Sequence, residues 1–383
     1  MKFIEKNVWL FVCMILLFLS LSACHSAVIQ PVPTSQSTAI ETHSTLPTPS
    51  LTPMKSVNPS LQEKFNPLTG IEVVSPEILN RRPVMIKVSN YPALGRPHAG
   101  LAFADLVFDY YIGAGQNRFL ALFYGMDAKS IGPVRSGRLV DIQLVNLYQG
   151  ILGFGSADGD TRSAIFGNLG RRAIANLEAP CPAFCGDDTH SIIGVFADTA
   201  ETSKWYGQHA SDNHRYDLSG MSFSNQVESS NNPASHVNIR FNFYNRTEWV
   251  YDPASDKYMR WMNNELLTDT IIMMPSTERS TGQQLAFSNI IILFAKYDEI
   301  APSKHDVELW GNTSGERAVF FRNGQMVEGE WKIVKRSKPI QFFDAQGNPM
   351  SLAPGNSWIV LTGLNSSFKE ITPGQWDLFF ALP

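Results

Sequence analysis

The stretch Leu21-Ser-Ala-Cys24 constrains this chain more than any other, because it separates residues free to build a core from residues that only set an address. It closes an apolar run from Val8 to Leu19, preceded by Lys2 and Lys6. A run of about 12 residues is short for a bilayer span, which needs about 20, and fits the apolar region of a secretory signal. Small residues and a cysteine follow. The sequence therefore predicts a signal segment over 1–23 and a folded body beyond the cytoplasm. An uncleaved anchor and a secretory signal with a chance cysteine are the rival readings.

Leu-Ser-Ala-Cys resembles the lipobox of bacterial lipoproteins. The resemblance implies cleavage before Cys24 and lipid on its thiol, which places the protein at the cell membrane on its extracytoplasmic face. One acyl chain holds a protein marginally and two hold it stably. Residues 24–64 are then rich in Pro, Ser and Thr, as in Leu46-Pro-Thr-Pro-Ser-Leu-Thr-Pro53, with no apolar period. Prolines at this density favour extended backbone, so the stretch reads as a tether.

The remainder is long enough for two domains. It reads as α+β: an α/β-layered N-terminal domain over 65–218, a polar connector over 219–234, and a β-rich C-terminal domain over 235–383. In the first part, Pro83–Ser89, Val107–Ile112 and Arg118–Tyr124 read as strands. Asp141–Tyr148 and Asp160–Leu169 read as helices, the second capped by Asp160 or Thr161. In the second part, Val237, Ile239, Phe241 and Phe243 alternate with polar neighbours, and Asn289–Phe294 is apolar throughout, the mark of a central strand. Asn323-Gly324 predicts a hairpin. Asn356–Thr362 is expected to close a sandwich or barrel.

The segments Asn66-Pro-Leu-Thr-Gly70, Leu79-Asn-Arg-Arg-Pro-Val84, Arg118-Phe-Leu-Ala-Leu-Phe-Tyr124 and Ile131-Gly-Pro-Val-Arg-Ser-Gly-Arg138 together resemble the YerB-type lipoproteins of bacteria. The resemblance covers most of the chain beyond the tether. It implies a lipid-anchored, extracytoplasmic protein with paired N- and C-terminal domains, and implies no catalytic activity. The chain departs from the family pattern at Asn213-His-Arg-Tyr216, where His-Asn-Leu-Tyr is expected.

Several clusters carry possible chemistry. Arg135, Ser136 and Arg138 follow a Gly-Pro turn, and Arg118 opens the preceding strand. Guanidinium groups beside a glycine-containing loop suit phosphate or carboxylate; pairing with Asp105, Asp109 or Asp141, which would pin the loop, is the leading expectation, and anion binding the rival one. Ser136 does not sit in a Gly-x-Ser-x-Gly elbow, which counts against a nucleophile. Asp158 lies in a strand-to-helix loop, where it would line a pocket or cap a helix. Cys181 and Cys185 are expected to form a disulfide outside the cytoplasm, although Cys-x3-Cys-x4-His with Asp187 or Asp188 also has the makings of a zinc site. His209, Asp212 and His214 form a polar cluster suited to proton transfer, or simply a solvated loop. Trp249, Tyr251, Tyr258, Trp261, Trp310 and Trp331 would serve either as a sugar platform or as core.

Net charge is only −4, which argues against a nucleic-acid surface. No residue is assigned a catalytic role, and no cofactor or metal is expected. Binding of a cell-wall component or envelope protein partner is the leading functional expectation. The alternative is a hydrolase or transferase on an anionic envelope substrate, with Arg135 and Arg138 gripping the anion and His214 or Asp158 moving protons.

Overall fold

Pro83 ends the approach to the first long strand, β1 (Val84–Ser89), whose six residues are all buried. β2 (Leu106–Gly113) and β3 (Gln116–Phe123) form an antiparallel hairpin, and β3 pairs antiparallel with β1. α1 (Leu139–Leu147) then crosses to β4 (Ile151–Phe154), which runs parallel to β1. α2 (Gly159–Leu169) leads to β5 (Ala173–Ala175), parallel to β4. This is the βαβ logic of a layered α/β sheet. α3 (Thr199–His209) follows. The computed structural model describes residues 64–186, 191–210, 212, 214–226, 231–264, 270–301 and 304–382. Cys24 and the tether up to Glu63, Asp187, Asp188, His190 and Asn213 lie outside the described residues. Among those described, no helix is long and apolar enough to cross a membrane.

The C-terminal part is built from strands: β6 (His236–Asn242), β7 (Asn245–Asp252), β8 (Lys257–Asn263), β9 (Met273–Pro275), β10 (Asn289–Ala301), β11 (Lys304–Glu308), β12 (Glu316–Arg322), β13 (Gln325–Lys332), β14 (Gln341–Asp344), β15 (Ser357–Gly363), β16 (Ser367–Thr372) and β17 (Gln375–Phe379). They do not form a sheet of their own beside the N-terminal one. A continuous sheet runs β14-β13-β12-β10-β15-β2-β3-β1-β4-β5, with β11 paired to β10. The junction is β15, which pairs parallel with β10 on one side and β2 on the other, Leu106 opposite Ser357 and Tyr110 opposite Leu361. β15 was expected to close a sheet; it lies in the middle of one, where all seven of its residues are buried. A second sheet, β9-β8-β7-β6-β17-β16, covers one face of the first.

Period-two alternation sorts the side chains into two cores. Val84, Ile86 and Val88 join Trp249, Tyr258 and Trp358 between the sheets. Met85, Phe108, Leu120 and Leu122 pack with Leu144, Leu147 and Ile165 of α1 and α2 on the opposite face. Trp249, Tyr258 and Trp331 are fully buried, so half of the expected aromatic platform is core. Each such ring contributes roughly 1.5–3 kcal/mol through burial. Asn323 and Gly324 both take positive φ, at 50° and 69°, as a tight hairpin turn requires. The segment expected as a connector is stitched to the C-terminal part: Ser222–Phe223 pairs with Ser351–Leu352, and Arg322 donates to the carbonyls of Ser224 and Gln226.

Candidate anion site

The carboxyl ends of parallel β1 and β4 are where open α/β sheets place ligands. Here a short extended stretch, Val134-Arg135, enters between them. The Arg135 N–H donates to the Lys87 carbonyl at 2.8 Å, and the Gly155 N–H donates to the Arg135 carbonyl at 2.8 Å. Two residues on, the Gly137 N–H donates to the Ser156 carbonyl at 2.7 Å. Gly137 is required there by space: a Cβ would stand 2.7 Å from Ile165 Cδ1. Arg138 is the N-cap of α1, and the Asp141 carboxylate accepts its backbone N–H at 2.7 Å.

Alternation on β3 turns Arg118 to the same face as Leu120 and Leu122, towards the helices. Its register partners are Ser89 on β1 and Tyr110 on β2. Arg118 is only 8% exposed and donates to the Ser136 carbonyl at 2.9 Å. Arg118, Arg135 and Arg138 stand within mutual electrostatic range. Burial first, then the charges of Arg138 and Arg135, pull Arg118 down to about 9; burial and Arg138 lower Arg135 as well. Among the described residues, none of the three guanidinium groups meets a carboxylate. Arg138 donates to the Gly137 carbonyl, and Arg135 Nε is buried with no partner.

Beneath them lies Lys87, fully buried, with its ammonium 3.3 Å from Asp141 Oδ1 and bonded to the Tyr110 hydroxyl, which also donates to Asp141. Burial drives the Lys87 ammonium down to about 7; Asp141 opposes this, while Arg118 and Arg138 add to it. The Asp306 carboxyl, within range of Asp141, is raised to about 6, mostly by burial. Four basic side chains thus gather near one carboxylate, that of Asp141, at the positive end of α1, where a cation is disfavoured. Among the described residues, the side chain of Lys87 alone of the four bonds it directly. Sequence reasoning missed Lys87, Tyr110 and Asp141 as one unit. The available signal was a lysine in the otherwise apolar strand Val84–Val88.

The expected pairing of the arginines with aspartates is not what the structure shows. Asp105 accepts the Tyr124 and Gly125 N–H groups and Asn66 Nδ2; Asp109 is bonded to Asn117 and Trp358 and faces Arg260; Asp141 serves Lys87, Tyr110 and the Arg138 backbone. Asp158, not Asp160 or Thr161, is the N-cap of α2, and its carboxylate is taken by Lys304 at 2.8 Å. Lys304 and the capping contact with Thr161, whose N–H donates to the carboxylate, hold that carboxyl down at about 2. His214 is not brought to the arginines. It packs on Tyr216, whose ring lies under Arg82, ahead of β1; the length of β1, about 17 Å at strand rise, separates the two places. Asp212 accepts from Arg82 Nε and Tyr206, and His209 stacks on Trp205. Cys181 and Cys185 are bridged. No group of three or more His, Cys, Asp or Glu suited to a metal occurs among the described residues.

Residues 68–189 match the domain described as "Protein of unknown function (DUF3048) N-terminal domain", and residues 237–359 match its C-terminal counterpart. Over 322 residues the chain is 27% identical to "Putative lipoprotein YerB" of Bacillus subtilis (strain 168), covering 80% of this chain and 88% of that one. The chain belongs to the YerB-type family. The crystal structure of the YerB protein from Bacillus subtilis aligns with a TM-score of 0.65 at 24% identity, over 78% of this chain and 96% of that one, which establishes the fold. Lys87, Arg118, Arg135, Arg138 and Asp141 all fall within the family's N-terminal domain, whereas β15, the strand that joins the sheet, begins at the end of its C-terminal one.

Proposed function

We propose that this chain is a lipid-anchored envelope protein that binds an anionic group of a wall component or envelope partner through Arg118, Arg135 and Arg138. The observation that carries the reading is the gathering of three guanidinium groups, none paired with a carboxylate among the described residues, at a helix N-terminus and at strand carboxyl ends. Gathering like charges costs free energy unless an anion completes the site, and guanidinium forks suit phosphate or carboxylate. The placement outside the cytoplasm rests on the Leu21–Cys24 pattern and on likeness to a relative named as a lipoprotein.

A hydrolase or transferase reading is favoured by one observation, a buried lysine lowered to about 7 beside a tyrosine and an aspartate. Lys87 would then move the proton in place of His214 and Asp158, which are engaged elsewhere. Its complete burial favours binding over turnover in this conformation.

The test is calorimetric titration of the protein with inorganic phosphate and with acidic wall fragments. Arg135→Ala/Arg138→Ala is expected to weaken binding at least about tenfold, the loss of one charge-assisted hydrogen bond, with an unchanged circular dichroism spectrum. Wild-type binding by that folded variant would sink the reading.

A further inference from the structure

At the opposite, amino ends of β1, β4 and β5 lies a second basic cleft, of about 460 Å³. It is lined by Arg82, Arg172, Lys335 and Arg336, with Trp310 and the polar side chains of Asn146, Gln149 and Ser337, and no carboxylate lines it. Its two walls come from different parts of the chain. Arg82 precedes β1 and Arg172 precedes β5, while Trp310 follows β11 and Lys335 to Ser337 follow β13.

Two of the four cations have work in the fold. Arg82 donates to the Gln149 carbonyl at 2.8 Å and pairs with Asp212; Arg172 donates to Asn146 Oδ1 at 2.6 Å. Both sit at the carboxyl end of α1, where a cation is favoured. Lys335 and Arg336 have no such role. Both are exposed, and neither side chain has a hydrogen-bond or carboxylate partner among the described residues; Arg336 only rests on the Trp310 ring at 4.6 Å. The indole Nε1 of Trp310 is itself buried and unpartnered. The Arg172 guanidinium is lowered by burial and by the Arg82 charge, with Tyr206, Asp212 and Tyr216 opposing.

We propose that this cleft is a binding site for a phosphate-bearing ligand with at least two negative charges. Arg82 and Arg172 form its fixed floor, held by the helix end. Lys335 and Arg336 close on the anion from the exposed loop. A single monovalent ion would leave most of this charge unanswered, and the volume is that of a small-ligand site. The site is independent of the arginine cluster at the other end of the strands.

Two probes separate the sources of such chemistry: inorganic pyrophosphate, and a poly(glycerol phosphate) chain. Each is titrated calorimetrically into the wild-type protein, Lys335→Ala/Arg336→Ala, Arg135→Ala/Arg138→Ala, and the control Lys64→Ala/Lys369→Ala, which removes two exposed lysines outside the cleft. The expected result is at least about tenfold weaker binding of one class of site in Lys335→Ala/Arg336→Ala, with that class retained in the other two variants. Tighter binding of pyrophosphate would mark a free polyphosphate ligand; tighter binding of the polymer would mark a phosphodiester chain. The proposal is overturned if neither probe binds, if Lys335→Ala/Arg336→Ala binds as wild type, or if the control loses as much.

Discussion

Lys87 and Asp141 face each other at 3.3 Å with both side chains sealed from solvent. The same carboxylate accepts the Tyr110 hydroxyl and the Arg138 N–H, so one aspartate ties β1, β2 and the start of α1. Removing one partner of a buried pair typically costs about 3–5 kcal/mol, because the other charge stays buried. Asp141→Asn is therefore expected to lower stability in urea denaturation by about 3 kcal/mol, and Lys87→Met in the same background to recover part of it. A loss below about 1 kcal/mol would mean the pair does not hold the site together.

The pH dependence of Lys87 has a definite sign. Its folded value, about 7, lies below the ordinary 10.5. Between these values the unfolded chain holds a proton that the folded chain lacks, so stability rises with pH across that window. Below about pH 7 both states are protonated and the contribution is constant. Asp105, Asp109 and Asp306, each raised to about 6, act oppositely, lowering stability as pH climbs from about 4 to 6. Subtracting the curve of Lys87→Met removes the terms that Lys87 does not touch, those of Asp105 and Asp306. Asp109, which feels the Lys87 charge, and Asp141, its buried partner, restrict the comparison to neutral and alkaline pH. Above pH 7 the wild-type minus variant difference is expected to rise, by at most about 1.4 kcal/mol per pH unit. A difference that falls above pH 7 would contradict the assignment.

The arginines were legible in the sequence because they are local: Arg135 to Arg138 is a run of four residues, and Arg118 opens a strand of clear pattern. Asn323-Gly324 was legible for the same reason, since its turn geometry is set by two residues. The position of β15 was not. Its apolar run says that it is buried on both faces, but its partner β2 lies some 250 residues earlier, and no local pattern names a partner that remote. Lys87 was hidden by the same non-locality. Its meaning depends on Tyr110 and Asp141, which topology alone brings to it. The aspartates were misassigned because proximity in sequence to an arginine says nothing about which face of a strand each occupies: Asp109 points between the sheets to Arg260, and Arg118 points to the helices.

Gly137 sets the path of the arginine loop over α2. A methyl group there would stand 2.7 Å from Ile165 Cδ1 and 3.3 Å from Phe154. Overpacking of this kind costs about 1–3 kcal/mol. Gly137→Ala should lose that much stability and also weaken phosphate binding, since Arg135 and Arg138 flank it. Ile165→Val removes the clashing carbon, so the double variant should be more stable than Gly137→Ala alone, even though Ile to Val by itself costs about 0.5–1.5 kcal/mol. Thermal and urea denaturation of the four proteins would decide; a double variant less stable than Gly137→Ala would show that the clash is not with Ile165.

Arg135 separates a binding site from a fold element most directly. Its guanidinium is partly buried, has one unpartnered nitrogen, and stands near Arg138 and Arg118. If these charges await an anion, they repel one another in its absence. Arg135→Gln should then raise stability at low ionic strength, by about 0.5–1 kcal/mol, and the gain should shrink towards 0.5 M salt as screening shortens to a few ångströms. Phosphate should reverse the order. A ligand at one hundred times its dissociation constant stabilises the protein that binds it by about 2.7 kcal/mol, and the variant should gain far less. Chloride at matched ionic strength supplies the screening without the fork-shaped partner, so it should narrow the difference and never invert it. Lower stability of Arg135→Gln at every salt concentration, with no response of the wild type to phosphate, would make Arg135 a support for the loop, and the anion site would fall with it.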